Sequence, residues 1–65
     1  MMIIINGKTE SVENITILEY LQSANFDIKR VAVERNGEIV PKTAYESEIL
    51  KDGDKVEIVS FVGGG

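Results

Sequence analysis

Lys55-Val56-Glu57-Ile58-Val59-Ser60-Phe61-Val62 is the last strand-like run of the chain, and it leads directly into Gly63-Gly64-Gly65. Alternation along the run puts Val56 and Ile58 on one face, and Lys55, Glu57, Val59 and Phe61 on the other. If Val56 and Ile58 face a core, Val59 and Phe61 face solvent close to the glycines. Glycine has no Cβ and loses much conformational freedom when ordered, so a triple-glycine end is poor structural material. What it provides is a slim, flexible peptide, ending in a carboxylate, that can thread a narrow cleft. On the residues alone two readings stay open: a reactive α-carboxylate on Gly65, or a frayed terminus. Val59 and Phe61, with Val62, are expected to form a docking patch beside that end. Burial of Phe61 in a small satellite cluster is the alternative.

Working outward, the rest of the chain supplies partners for this strand. Residues 2–5 are an apolar, β-branched run that stops at Asn6-Gly7, a strong hairpin signal, and residues 8–12 read as the return strand. Thr16 and Glu19 form a Thr-x-x-Glu capping box at a helix start. Ile17, Leu18, Leu21 and Ala24 recur at helical spacing and predict an apolar stripe, with Asn25 as the stop and Phe26 and Ile28 sealing the end. Val31 to Arg35 predicts a strand turned by Asn36-Gly37 into Glu38-Ile39-Val40, which Pro41 ends because it has no amide donor. Thr43 to Leu50 reads as irregular or a short turn anchored by Ile49 and Leu50, and Asp52-Gly53-Asp54 as the turn into the last strand.

Two hairpins flanking one helix, with a long final strand, can close a mixed sheet around that helix. The first and last strands then lie side by side in parallel at its centre. This is an α+β architecture of the β-grasp, or ubiquitin-like, kind, with four to five strands on one main helix. Residues 1–62 are expected to form the β-grasp domain and residues 63–65 a flexible tail.

The 65-residue length suits one domain near the lower limit for independent folding. Cysteine and histidine are both absent, which excludes disulfides and argues against a zinc site. Seven basic against eleven acidic residues give a net charge of -4, the wrong sign for a nucleic-acid or anionic-membrane partner. The apolar start, Met1 to Ile5, is too short for a membrane span and lacks the marks of an export signal, so a cytoplasmic location is expected.

Catalysis by the chain itself finds little support. General acid–base and nucleophilic chemistry lean on histidine, cysteine or perturbed groups beside a base, and no serine here lies in a nucleophile motif. Glu10/Glu13, Glu46/Glu48 and Asp52/Asp54 read as solvated carboxylates. The Asp-Gly-Asp stretch lacks the longer ligand pattern of a calcium loop. Neither Asn-Gly pair opens a phosphate-binding loop. Tyr20 and Tyr45 read as packing residues.

The chain resembles the ThiS family, the small bacterial sulfur carrier proteins of thiazole (thiamin) biosynthesis. The resemblance rests on Ile3-Ile4-Ile5-Asn6-Gly7, on Val33-Glu34-Arg35-Asn36-Gly37-Glu38-Ile39-Val40-Pro41, on Leu50 to Val59 with its Asp52-Gly53-Asp54 turn, and on the terminal glycines. It implies a carrier, not an enzyme: a ThiF-like adenylating enzyme uses Mg-ATP to convert the Gly65 carboxylate to an acyl adenylate. Sulfur from a sulfur-donating protein then replaces AMP and leaves a thiocarboxylate, which a ThiG-like thiazole synthase consumes. No cofactor is bound by the carrier. Gly63 and Gly64 become the threading segment; the family usually ends in two glycines, so Gly63 is an additional small residue. Alternatives that share the fold and tail are carriers for other pathways, such as the small subunit of molybdopterin synthase, and a protein modifier. A noncovalent β-grasp adaptor is the alternative without activation.

Overall fold

The two hairpins turn at Asn6-Gly7 and Asn36-Gly37, and the strand Glu38–Val40 stops before Pro41, which has no amide to pair. In the computed structural model, which describes residues 1–61, the described residues form one five-stranded sheet and an α-helix. Strand β1 is Met2–Ile5 and β2 Lys8–Ser11. Helix α1 is Ile17–Ser23. Strands β3 (Val31–Arg35) and β4 (Glu38–Val40) form the second hairpin, and β5 is Lys55–Ser60. The sheet order is β2-β1-β5-β3-β4, antiparallel except for the central β1–β5 pair, which is parallel. This is the β-grasp arrangement expected from the order of elements.

Both hairpin turns need positive φ at two successive residues. Asn6 and Gly7 adopt 49° and 81°, Asn36 and Gly37 51° and 86°, the backbone that matches the right-handed twist of the flanking strands. The capping box forms as the sequence predicts: the Glu19 amide donates to Thr16 Oγ1 at 3.1 Å, and the Thr16 amide to Glu19 Oε1 at 2.9 Å. Helix α1 is only seven residues long, too short to hold itself in water, so this cap carries a large share of its definition. Thr16→Ala is expected to lower stability by about 1 kcal/mol in urea unfolding, with an unchanged m-value; an unchanged midpoint would show that packing alone fixes the helix start.

The core lies between α1 and one sheet face. Ile3, Leu21, Leu50, Val31, Val33 and Val56 are its most deeply buried side chains. The helix stripe differs from the expected one at its end. Ala24 is exposed, because the helix stops at Ser23 and Ala24 is the C-cap. Tyr20 takes its place in the core, and its hydroxyl donates to Glu10 Oε2 at 2.9 Å. Glu10 is thus a bonded partner of the helix, not a purely solvated carboxylate. Burial and this bond push the Tyr20 phenol up to about 12. Leu50 anchors the segment before β5 as expected, whereas Ile49 is exposed and contributes only a bridge to Thr16 and its carbonyl. Short 3₁₀ turns at Ile28–Arg30 and Lys42–Ala44 occupy stretches without a clear period. Strand β2 stops at Ser11 rather than Val12, and β5 at Ser60. No helix among the described residues is long and apolar enough to cross a membrane.

Candidate functional site

Strand β5 carries the candidate site, and the fold holds it from both sides. Its core-facing residues, Val56 and Ile58, are buried; Val59 and Phe61 are 55% and 58% exposed. Val59 lies opposite Ala32 of β3 on the outer sheet face. The Phe61 amide donates to the Arg30 carbonyl at 2.7 Å. Beyond it come Val62, Gly63, Gly64 and Gly65, which lie outside the described residues.

Two asparagines position this strand in a way that reading them as turn residues does not anticipate. Strand β1 ends at Ile5, while β5 runs on. The Asn6 side chain then substitutes for further strand: its Nδ2 donates to the Ile58 carbonyl at 3.1 Å, and its Oδ1 accepts from the Ile58 amide at 2.7 Å. At the other end of β5, Asn36 Oδ1 accepts from the Lys55 amide at 2.9 Å. Each hairpin turn therefore bonds β5 through the asparagine that makes the turn. The local signal for both was present in Asn-Gly, but their cross-sheet partners are set by tertiary structure alone.

Asp54, read from sequence as solvated, is 6% exposed. Its Oδ2 accepts from Arg35 Nε at 2.9 Å and from the Lys51 amide at 2.8 Å, with Arg35 Nη2 also 2.8 Å away. Its Oδ1 accepts from Asn36 Nδ2 at 3.0 Å. Burial alone would push the carboxyl up. The Lys51 amide, Asn36 and Arg35 outweigh it and hold Asp54 below the usual carboxylate range. Arg35 continues outward to Glu48 Oε1 at 3.2 Å and the Ile49 carbonyl at 2.8 Å. The cluster lines a polar recess of about 450 Å³. Every buried side-chain polar atom among the described residues has a partner. With its donors and acceptors turned inward, the cluster fixes the turn that launches β5.

At the other end of β5 a second recess, of about 380 Å³, opens where β4 stops at Val40. Its walls are apolar, with Ala32, Ile39, Pro41 and Phe61 among them, and Lys29 and Lys42 also line it. Pro41 cannot prolong β4, so the β3 edge would be left bare there. Lys42 Nζ covers it, donating to the Ile28 carbonyl at 2.8 Å and the Val31 carbonyl at 3.2 Å.

A small β-grasp protein whose last strand presents exposed apolar side chains directly before a glycine-rich end is the class these features define. The ThiS family model matches residues 3–65, and the chain belongs to that family. It is 50% identical over 50 residues to the sulfur carrier protein ThiS of Bacillus subtilis, covering 77% of this chain and 76% of that one. The crystal structure of the thiamine biosynthesis protein ThiS from Geobacter metallireducens superposes with a TM-score of 0.84 at 36% identity, covering all of both chains. The chain is also 46% identical, over its full length, to part of the thiazole synthase of Paramagnetospirillum magneticum; it spans 20% of that relative's length.

Proposed function

We propose that this chain carries sulfur for thiazole formation in thiamin biosynthesis, with the Gly65 carboxylate as the point of attachment. The observation that carries the reading is membership of the ThiS family across residues 3–65, the glycine end included. The relatives' names support it: one is a sulfur carrier, and another joins a segment like this chain to a protein named as a thiazole synthase.

A carboxylate is a poor acceptor of nucleophiles. In the proposed cycle a Gly65 oxygen attacks the α-phosphate of Mg-ATP on an adenylating enzyme, and pyrophosphate leaves. Sulfide, released by a donor protein, then attacks the acyl carbon; the bond from that carbon to the AMP oxygen breaks, AMP leaves, and loss of the remaining proton gives the thiocarboxylate. That group is a good sulfur nucleophile for the thiazole synthase. ATP and its magnesium belong to the partner enzyme. This chain's part is to present Gly65 through Gly63 and Gly64, and to dock through Val59, Phe61 and Val62. The arrangement around β5 suits that role, since a strand bonded by Asn6 and Asn36 gives the tail a fixed origin.

The test is complementation of a strain lacking its own carrier. The full chain should restore growth without thiamin, and a chain lacking Gly64 and Gly65 should not. Equal rescue by the shortened chain would instead favour a noncovalent adaptor. Phe61→Ala is expected to weaken binding to the adenylating enzyme roughly 10- to 100-fold, in the range of an interface hot spot. Its folding stability should change by less than about 0.5 kcal/mol, because the side chain is exposed. Unchanged affinity would remove Phe61 from the docking patch.

A further inference from the structure

Strand β5 is held unequally along its two sides. On one side β3 stays opposite it as far as the Val31–Ser60 pair, and the Phe61 amide adds a bond to the Arg30 carbonyl at 2.7 Å. On the other side β1 is paired only at Ile4–Lys55 and Ile5–Val56 before the chain turns away at Asn6-Gly7. The Ile4 and Asn6 amides donate to the Asp54 and Val56 carbonyls, both at 2.9 Å, so alternate residues of β5 turn their backbone groups toward β1. Ile58 is next in that series, and the Asn6 carboxamide takes both of its groups, donating to the carbonyl at 3.1 Å and accepting from the amide at 2.7 Å. A carboxamide offers a donor and an acceptor as a peptide unit does, so it stands where the next residue of β1 would have been. Among the described residues Asn6 is the last group to bond β5 on this side. Its own φ of 49° also suits it to the turn. Glycine would make that turn without the bonds, and most longer side chains would strain it.

We infer, resting on the proposed carrier function, that Asn6 is a positioning residue: it keeps Val59 and Phe61 in strand geometry before the adenylating enzyme arrives. These two residues lie one and three positions beyond Ile58, the point where Asn6 grips the strand. Without that grip the end of β5 is held from β3 alone, and it frays. The enzyme then binds only the molecules whose strand end is formed, and the apparent dissociation constant rises by the inverse of that fraction. A strand end formed in roughly a tenth to a third of molecules corresponds to a 3- to 10-fold loss of affinity. Once docked, the strand has its ordinary geometry, so the cost falls on binding and not on the rate at saturation.

The test compares full-length wild type, Asn6→Gly, Asn6→Asp and Thr16→Ala against a purified bacterial adenylating enzyme of thiamin biosynthesis, by titration calorimetry and by the kinetics of pyrophosphate release. Asn6→Gly keeps the turn and removes both bonds. Asn6→Asp keeps an acceptor for the Ile58 amide but sets a second acceptor against the Ile58 carbonyl, so it is expected to lose as much. Both should bind roughly 3- to 10-fold more weakly, with kcat within about 2-fold of the wild type. In the free chains the Phe61 amide should exchange with solvent roughly 3-fold or more faster, although its acceptor on Arg30 is untouched. Thr16→Ala, which loses stability at the helix cap, should bind like the wild type and so separates positioning from a general loss of stability. Wild-type affinity in either Asn6 variant, equal weakening by Thr16→Ala, or a fall in kcat with KM unchanged would overturn the inference. So would a wild-type chain that does not bind. If Asn6→Gly does not fold, Asn6→Asp carries the same comparison. A wild-type chain that binds without being adenylated would remove the carrier function, while the measured affinities would still judge Asn6.

Discussion

Asp54→Ala is expected to cost about 3 kcal/mol in urea unfolding, because it leaves the mostly buried Arg35 guanidinium with only the more exposed Glu48 as a counter-charge. A domain of this length has roughly 3–10 kcal/mol in all, so the variant should lose a large share of its stability. The single change removes acceptors from Arg35, Asn36 and the Lys51 amide together. An Arg35→Met/Asp54→Leu double variant should be closer to the wild type than Asp54→Ala, since replacing both partners removes the stranded charge. The same group sets an acid limb. Its native pKa is depressed, so its contribution is complete above the unfolded value of about 4 and is lost as pH falls through the lower native value. The wild type should therefore lose stability below about pH 4 more steeply than the double variant. A loss of under about 1 kcal/mol in Asp54→Ala would mean that the pair only offsets its own desolvation.

One residue added after Gly65 is expected to reduce sulfur loading to background while leaving the unfolding midpoint where it was. The extra residue moves the terminal carboxylate by up to about 3.5 Å, and a misplacement of about 1 Å can cost on the order of 100-fold in rate. It also replaces the Gly65 carboxylate with an amide, which adenylation cannot use. Loading at the wild-type rate would mean that a tail atom other than the Gly65 carboxylate is activated.

The order of elements was legible because the turns and the helix start have local causes. Asn6-Gly7 and Asn36-Gly37 demand positive φ, Thr16 and Glu19 satisfy each other's amides, and Pro41 cannot pair. The exposure of Val59 and Phe61 followed from alternation once Val56 and Ile58 faced the core. What stayed hidden depends on contacts between distant residues. Asp52-Gly53-Asp54 has the same local form whether Asp54 is solvated or buried; only the arrival of Arg35 and Asn36 decides. Ala24 fits the helical period as well as Leu21, but period does not show that the helix has already ended. Tyr20 packs in the core as its reading as a packing residue expected, but its hydroxyl's partner, Glu10 of β2, is set by tertiary structure. Lys42 carried no motif at all, since its role is to cover an edge that exists only because β4 is short.

The carrier function stands or falls with the chemistry of Gly65. Intact mass spectrometry after incubation with Mg-ATP, a bacterial adenylating enzyme and a sulfur donor tests it most directly. The expected result is a gain equal to one oxygen replaced by sulfur, localised by fragmentation to Gly65. An unchanged mass, with the same enzyme loading another carrier in parallel, would contradict it.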